Sequence, residues 1–113
     1  MKVLVFGGTT EGRLLARELS ALGAQVTVSV ATALGAEELR GVPPLTVCVG
    51  RKDARQMRKM LPGFAVCVDA THPYASAATE NIREASSRVH IPYIRVLRAS
   101  CPAGDKNRET EKL

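Results

Sequence analysis

The sequence predicts an α/β domain in which helices cover both faces of a parallel β-sheet, and three observations lead to this prediction. Five apolar runs of strand length are spaced along the chain, at residues 3–6, 25–30, 45–49, 64–69 and 93–97. They are rich in valine and lack polar alternation, which is typical of strands buried on both faces of a parallel sheet. Helical patterns fill the segments between them, so strand and helix alternate.

The first two helices follow the first two strands. Leu15, Leu19 and Leu22 stand at i, i+4 and i+7, which predicts that they share the buried face of the first helix. Gly23 supplies the stop signal at its end. A shorter second helix is expected over residues 33–40.

The third and fourth helices have similar signals. Asp53 is the expected N-cap of the third helix, which Pro62 and Gly63 end. Its expected buried residues are Ala54, Met57 and Leu61. The fourth helix is expected to bury Ala75, Ala78, Ile82, Ala85 and Val89, and to place Glu80, Arg83, Glu84 and Arg88 on its outer side.

The alternation of strands and helices predicts right-handed crossovers and the strand order 3-2-1-4-5, a Rossmann-like sheet. A chain of 113 residues is long enough for one such domain. We expect the domain to occupy residues 1–98. Residues 99–113 are polar and have no periodicity, which predicts a disordered tail.

Composition narrows the class of protein. No apolar run approaches the roughly 20 residues of a membrane span, and Lys2 precedes only four apolar residues, too few for a secretion signal. The three cysteines have no metal-ligand spacing. We therefore expect a cytoplasmic protein without a metal site.

The net charge of +5 has two readings. A basic segment contains Arg51, Lys52, Arg55, Arg58 and Lys59. A solvated helix face is the favoured interpretation, and an anionic small molecule is the second. Nucleic acid is disfavoured, because the two phenylalanines and two tyrosines form no stacking pattern.

The turn "GGTTEGR" follows the first strand, where such folds bind phosphate groups. Against the dinucleotide fingerprint, Gly7 and Gly12 fit, but Thr9 replaces the middle glycine. Gly8 offers a close backbone approach one residue earlier. Thr10 and Thr9 add hydroxyl donors beside the helix N-terminus. The alternative that these glycines merely permit a tight turn stays open.

Two other templates fit the turn less well. In a Walker A loop, Arg13 would replace the lysine and Leu14 the hydroxyl residue, which excludes ATP or GTP hydrolysis. An S-adenosylmethionine-dependent methyltransferase, like an NAD enzyme, usually carries an acid near the end of the second strand. The segment "VSVATA" offers Ser29 and Thr32, and no carboxylate precedes Glu37.

A site with hydroxyl groups and no acid favours a ribose 2′-phosphate, which a carboxylate would repel. The residues therefore favour NADP over NAD. The candidate cations for this phosphate are Arg13, Arg40, Arg51 and Lys52, and the sequence does not rank them.

A second cluster, "DATHPYA", directly follows the fourth strand. In a 3-2-1-4-5 sheet it should face the glycine turn across the ligand crevice. His72 is as readily a structural residue as a catalytic one, and Asp69 is expected to orient the loop through backbone hydrogen bonds. His90, near the end of the last helix, is interpreted as a surface residue.

The motifs "VLVFGGTTEGRLLA", "VTVSVAT", "VCVGR" and "VDATHPYA", followed by "IPYIRVLR", resemble the precorrin-6A reductase family of cobalamin biosynthesis, the cobalt-precorrin-6A reductases included. The resemblance implies NADPH-dependent hydride transfer to an anionic tetrapyrrole, precorrin-6A or cobalt-precorrin-6A. It implies a cofactor site made of Gly7, Gly8, Thr9, Thr10, Glu11, Gly12, Arg13, Ser29, Ala31, Thr32, Gly50, Arg51, Ala70, Thr71, His72 and Pro73. His72 and Tyr74 are the candidates for positioning the macrocycle or supplying a proton.

Members of that family are much longer than this chain and carry a second α/β half. The chain is thus expected to be a truncated member, a stand-alone domain, or a protein that forms a homodimer in place of the second half. A non-catalytic NADP-binding module is the alternative function. A short-chain-type reductase is set aside, because neither Tyr74 nor Tyr93 has a lysine four residues on.

Overall fold

The computed structural model of this chain describes residues 1–40 and 45–97. Within them, one parallel sheet has the order β3-β2-β1-β4-β5, which confirms the predicted fold class and strand order. The strands are β1 (Lys2–Phe6), β2 (Gln25–Val30), β3 (Leu45–Val49), β4 (Val66–Asp69) and β5 (Tyr93–Arg95). The fourth strand begins two residues later than predicted, and the fifth ends two residues earlier. The predicted tail and Cys101 lie outside the described residues.

The central strand β1 shows why apolar runs without polar alternation predicted the strands of this sheet. Val3, Leu4, Val5 and Phe6 are all buried, since β1 lies between β2 and β4 and both of its faces are covered. In the register, Val3 pairs with Val26 on one side and with Val66 on the other. No polar alternation can be tolerated in such a strand.

The helices within the described ranges are α1 (Thr10–Ala21), α2 (Ala33–Glu37), α3 (Ala54–Met60) and α4 (Ser76–Arg88). One apolar cluster includes Ala16 of α1 together with Leu39, which follows α2. The other includes Met57 of α3 and Ile82 of α4. The two clusters contain different side chains of the same strands, so the sheet is covered on both faces. No helix in these ranges is long and apolar enough to cross a membrane.

The predicted buried face of α1 was wrong in one residue and incomplete. Leu22 is 82% exposed, because the helix ends at Ala21 and Leu22 is its C-cap. The residues buried along α1 are the small ones, Gly12, Ala16 and Ser20. Leu15 and Leu19 are only partly buried beside them. Small side chains let the helix axis approach the sheet, and a hydrophobicity pattern does not detect them.

The other helix predictions were largely confirmed. Asp53 forms a capping box with Gln56 at the start of α3, and Met57 and Leu61 are buried. In α4 the predicted Ile82 and Ala85 are buried. The partly buried residues are Ala54, Ala75, Ala78 and Val89. The helix α2 is shorter than the predicted 33–40.

Candidate functional site

The crevice lies between the carboxyl ends of β1 and β4, where the order in which strands are added to the sheet reverses. The helix after β1 covers one face of the sheet and the helix after β4 covers the other, so their first residues diverge and leave an opening. Two loops border it. We call residues 7–13 the glycine turn and residues 70–75 the β4 loop.

The glycine turn is built by two glycines with different roles. The Gly7 N–H donates to the Ser29 carbonyl at 2.8 Å, and a Cβ on Gly7 would lie 3.0 Å from Val28 Cγ1. Gly8 has a φ of 106° and open space within 4 Å of its Cβ position. Gly7 is therefore a packing residue. Gly8 leaves a place where a ligand can approach the backbone closely.

Gly12 occupies the third glycine position of the dinucleotide fingerprint, and its environment explains why. A Cβ there would lie 3.1 Å from the Ala70 Cβ and 3.3 Å from both the Gly7 Cα and the Thr9 Oγ1. These distances are shorter than ordinary van der Waals contact. A side chain at this position would require these neighbours to shift, so glycine favours the close approach of α1 to β1 and β4, which is the packing role the fingerprint assigns to it.

Thr9 is the N-cap of α1 and also connects the two loops. Its Oγ1 accepts a hydrogen bond from the Gly12 N–H at 3.1 Å and donates one to the Ala70 carbonyl at 2.6 Å. The Thr9 hydroxyl proton is thus already used within the protein, contrary to the expectation that it serves as a phosphate donor. The N-terminus of α1, which begins at Thr10, carries the positive end of the helix dipole.

Asp69, the last residue of β4, directly precedes the β4 loop and is fully buried. Its Oδ1 accepts from the Thr71 N–H at 3.1 Å and from the Thr71 hydroxyl at 2.7 Å. Its Oδ2 accepts from the Tyr93 hydroxyl at 2.8 Å, and Arg95 Nη1 lies 3.2 Å from Oδ1. The prediction that Asp69 orients the loop by a backbone hydrogen bond is confirmed.

The buried carboxylate stays ionised because its partners outweigh its burial. Burial alone would raise the pKa of Asp69, but the hydrogen bonds from Thr71 and Tyr93 favour the charged form and lower it below the usual value. Burial, together with the hydrogen bond to Asp69 and its charge, raises the pKa of the Tyr93 phenol. The Tyr93 hydroxyl is therefore a donor and not a general base near neutral pH.

A cavity of about 220 Å³ lies beside the crevice, over the carboxyl ends of β1, β2 and β3. Its apolar floor is Phe6, Met57 and Ile82. The remaining lining residues are Gly7, Ser29, Val30, Ala31, Gly50, Arg51, Lys52, Thr71, Ala77, Ala78 and Asn81. Among these described lining residues none is acidic. The cavity thus combines an apolar floor with two cations, which suits an aromatic base joined to an anionic group.

One of those cations is fixed by the loop that carries it. Lys52 Nζ donates to the Gly50 carbonyl at 2.8 Å, and Gly50 has a φ of 122°, a conformation that favours glycine. Arg51 is exposed beside it. The sequence named both as candidate cations, and the structure places both in the cavity wall.

The structure brings together only part of the predicted site. Gly7, Ser29, Ala31, Gly50, Arg51 and Thr71 line the cavity. A narrow hollow between the glycine turn and α2 is lined by Gly8, Thr9 and Arg13 among others. Thr32 caps α2 by accepting from the Gly35 N–H, Ala70 is buried, and Thr10, His72 and Pro73 are exposed. Glu11 is partly exposed.

The two candidate proton donors lie on the outer part of the β4 loop. The rings of His72 and Tyr74 are 5.1 Å apart, the Tyr74 N–H donates to His72 Nδ1 at 3.2 Å, and Tyr74 is 88% exposed. Neither residue lines the cavity. Their role in proton supply stays a prediction. Within the described ranges, no cluster of three His, Cys, Asp or Glu residues can hold a metal ion.

Sequence reasoning missed two groups of site residues. Asn81, Ala77 and Ala78 of α4 line the cavity, and Tyr93 and Arg95 contact Asp69 from β5. The strand order could have indicated Tyr93 and Arg95, because it makes β4 and β5 neighbours. In the structure Asp69 is in register with Arg95.

Comparisons with known proteins agree with this geometry. The family model for "Precorrin-6x reductase CbiJ/CobK" matches residues 2–113. The chain is 36% identical over 100 residues to the cobalt-precorrin-6A reductase of Priestia megaterium, covering 87% of this chain and 39% of that protein. It is 34% identical over 117 residues to the cobalt-precorrin-6A reductase of Synechocystis sp., covering 98% of this chain and 43% of the relative.

A solved structure of "CobK precorrin-6A reductase" aligns with a TM-score of 0.75 and 28% identity, over 92% of this chain and 40% of that one. The chain thus spans about two-fifths of the length of these relatives. Fold, strand order and sequence motifs therefore agree: the chain belongs to the precorrin-6x reductase CbiJ/CobK family.

Proposed function

We propose that this chain is the NADPH-binding part of a precorrin-6A reductase, with residues 1–98 forming the nucleotide-binding domain. The observation that carries the proposal is the cavity beside the crevice, over the carboxyl ends of β1, β2 and β3. It joins an apolar floor to Arg51 and Lys52, and none of its described lining residues is acidic.

The charges of the cavity wall support NADPH rather than NADH. Enzymes that prefer NADH commonly hold the ribose 2′-hydroxyl with an acid near the end of the second strand. Here the end of β2 carries the buried Ser29 and then Ala31. The described lining residues of the cavity include no carboxylate that would repel a phosphate group. Arg51 and Lys52 supply positive charge, and a guanidinium can grip a phosphate through two hydrogen bonds.

The glycine turn supports the pyrophosphate half of the proposal. Gly8 gives open access to the backbone, and the N-terminus of α1 directs the positive end of its dipole toward an anion. When bound, NADPH would supply a hydride from the nicotinamide C4. The chain's own contribution is to bind and orient the reactants, because hydride transfer itself is the cofactor's chemistry.

The names of the relatives point to a precorrin as the substrate, which is an anionic tetrapyrrole. The basic residues of α3, Arg55, Arg58 and Lys59, lie on the same side of the sheet as the cavity floor residue Met57 and would attract such an anion before it binds. His72 and Tyr74 are proposed to position the macrocycle. We further propose that the protein acts in the cytoplasm.

Calorimetric titration with NADPH and NADH tests the cofactor proposal. A charge-assisted contact of about 1.5–3 kcal/mol predicts that NADPH binds at least about tenfold more tightly than NADH at low salt. The difference should shrink as salt screens the charges. Equal affinities at low salt would overturn the assignment of NADPH.

A second candidate function is a non-catalytic NADP-binding module that needs a further chain, or a homodimer, for activity. The specific observation that favours it is that the candidate proton donors, His72 and Tyr74, do not line the cavity. Following NADPH absorbance in the presence of precorrin-6A, and of cobalt-precorrin-6A, separates the two candidates. Oxidation supports a reductase, whereas tight binding without oxidation supports the module.

A further inference from the structure

A network of polar side chains lies beneath the β4 loop, and one of its members, Thr71, lines the cavity. Its centre is the pair Asp69 and Arg95, which are direct register partners on adjacent parallel strands. Asp69 is fully buried, and the Arg95 side chain is 20% exposed. The pair is therefore largely shielded from water and from salt.

Arg95 holds the backbone of the loop as well as the carboxylate. Its Nη1 donates to the Asp69 carbonyl at 3.1 Å and to the Thr71 carbonyl at 3.0 Å, and its Nη2 lies 3.5 Å from the His72 carbonyl. These carbonyl groups belong to the segment that leaves the sheet after β4. One rigid guanidinium thus contacts the carbonyls of Asp69, Thr71 and His72, which a lysine ammonium cannot do with the same geometry.

Asp69 holds the same loop from its other side. It accepts hydrogen bonds from both the N–H and the hydroxyl of Thr71. The Thr71 carbonyl is held by Arg95, so Thr71 is fixed at its N–H, its hydroxyl and its carbonyl. Thr71 is also the member of this network that lines the cavity.

We propose that Arg95 and Asp69 are positioning residues, which hold Thr71 in the cavity wall and thereby set the affinity for the nucleotide. This inference rests on the proposed binding of NADPH. It adds that residues on β5, without lining the cavity themselves, determine how well the cavity fits its ligand. Tyr93, whose hydroxyl donates to Asp69 at 2.8 Å, supports the carboxylate from outside.

A double-mutant cycle on NADPH affinity tests the inference. The variants are Arg95→Met, Thr71→Val and the double variant, with the dissociation constant measured by calorimetry well below the unfolding temperature of each protein. If Arg95 acts through Thr71, each single variant weakens binding about tenfold, and the double variant weakens it by much less than the product of the two. If Arg95 only stabilises the fold, the unfolding temperature falls and the dissociation constant of the folded protein does not change.

Two further variants make the test specific. Arg95→Lys keeps the positive charge but loses the planar guanidinium with its several N–H donors. It should therefore recover only part of the NADPH affinity that Arg95→Met loses. Arg88→Met removes an exposed arginine of α4, which pairs only with Glu84 in the described residues, and should bind NADPH as the wild type does. If Arg95→Met does not fold, Tyr93→Phe and Arg95→Lys replace it in the cycle.

The outcomes separate the two proposals. Wild-type protein that does not bind NADPH overturns the proposed function and this inference with it. Wild-type protein that binds NADPH, with Arg95 variants that bind equally well or with fully multiplicative effects in the cycle, overturns only the positioning role.

Discussion

The hydroxyl of Thr9 and the carbonyl of Ala70 are joined by a hydrogen bond of 2.6 Å, although 61 residues separate them in the chain. The bond connects the N-cap of α1 to the start of the β4 loop. The same oxygen caps α1 through the Gly12 N–H. One threonine therefore sets both the start of the helix and the distance between the two sides of the crevice.

Replacing Thr9 by valine should remove the cap and the connection together. The loss of an N-cap costs about 1 kcal/mol, and the unpaired Ala70 carbonyl adds about 1 kcal/mol more. We expect Thr9→Val to lower the free energy of unfolding by about 2 kcal/mol in urea titrations, and Thr9→Ser to restore most of it. Thr32→Val, which removes only the exposed cap of α2, should lose about half as much. Equal losses for the two valine variants would contradict the connecting role.

Gly12→Ala should destabilise the protein, although alanine is ordinarily the better helix residue by about 1 kcal/mol. The added Cβ would lie 3.1 Å from the Ala70 Cβ, and such overpacking costs about 1–3 kcal/mol. The free energy of unfolding and NADPH affinity should both fall. Ser87→Ala, at an exposed position of α4, measures the ordinary preference of a helix for alanine. A stabilising effect of Gly12→Ala would show that α1 does not pack as closely as described.

Arg51→Ala should reduce the preference for NADPH over NADH and leave NADH affinity nearly unchanged. The reason is that Arg51 lies in the cavity wall, where we propose that its charge binds the extra phosphate of NADPH. We expect the ratio of the two dissociation constants to fall about tenfold at low salt, as for the loss of one charge-assisted contact. Lys59→Ala, which removes an exposed charge further along α3, is the control. A ratio that falls equally in both variants would point to general attraction and not to a phosphate site.

The stability contributed by Asp69 should depend on pH in one direction. Its pKa is lower in the folded protein than its ordinary value, so the ionised carboxylate stabilises the fold above about pH 4, the unfolded value. That contribution is lost as the pH falls through the lowered folded pKa. At pH 7 we expect the unfolding free energy of Asp69→Asn to be lower than that of the wild type by roughly 3 kcal/mol. This difference in unfolding free energy should become smaller toward pH 2–3. A gap that stays constant from pH 7 to pH 3 would contradict the ionised state.

His90→Gly should stabilise the protein. His90 follows the end of α4 with a φ of 59°, and the Ile91 N–H donates to the Ser86 carbonyl. Gly23 stands in the same relation to α1, with the Ala24 N–H donating to the Leu19 carbonyl. Both helices thus end in a motif that favours glycine. We expect a gain of about 0.5–1 kcal/mol in unfolding free energy, whereas His90→Ala should give none. A loss of stability in the glycine variant would show that the His90 side chain has a role of its own.

The fold was predictable because its information is local. The valine-rich runs are short, buried on both faces and separated by helices, and only a few strand orders satisfy right-handed crossovers. The error at Leu22 arose where tertiary packing decides. The spacing of the leucines assigns Leu22 to the core, but α1 ends at Ala21. The residues of α1 that are buried are the small ones, Gly12, Ala16 and Ser20.

The site was predictable only where a motif carried it. The glycine turn and the loop after β4 could be recognised, and the strand order placed them opposite each other. The contacts of Asp69 with Tyr93 and Arg95 span 24 and 26 residues, and a pattern within one strand does not encode them. They follow only from register, which is a property of the assembled sheet.

The separation of Thr9 and Ala70 also has a consequence for how the protein acquires its binding site. Bringing together two segments 61 residues apart requires loop-closure entropy that local helices and turns do not require, and such non-local contacts slow folding. A nascent chain that has not reached Ala70 contains one side of the crevice and lacks the other. Ligand binding is therefore an assay of completed β1–β4 pairing, and it should develop late, after the helices have formed.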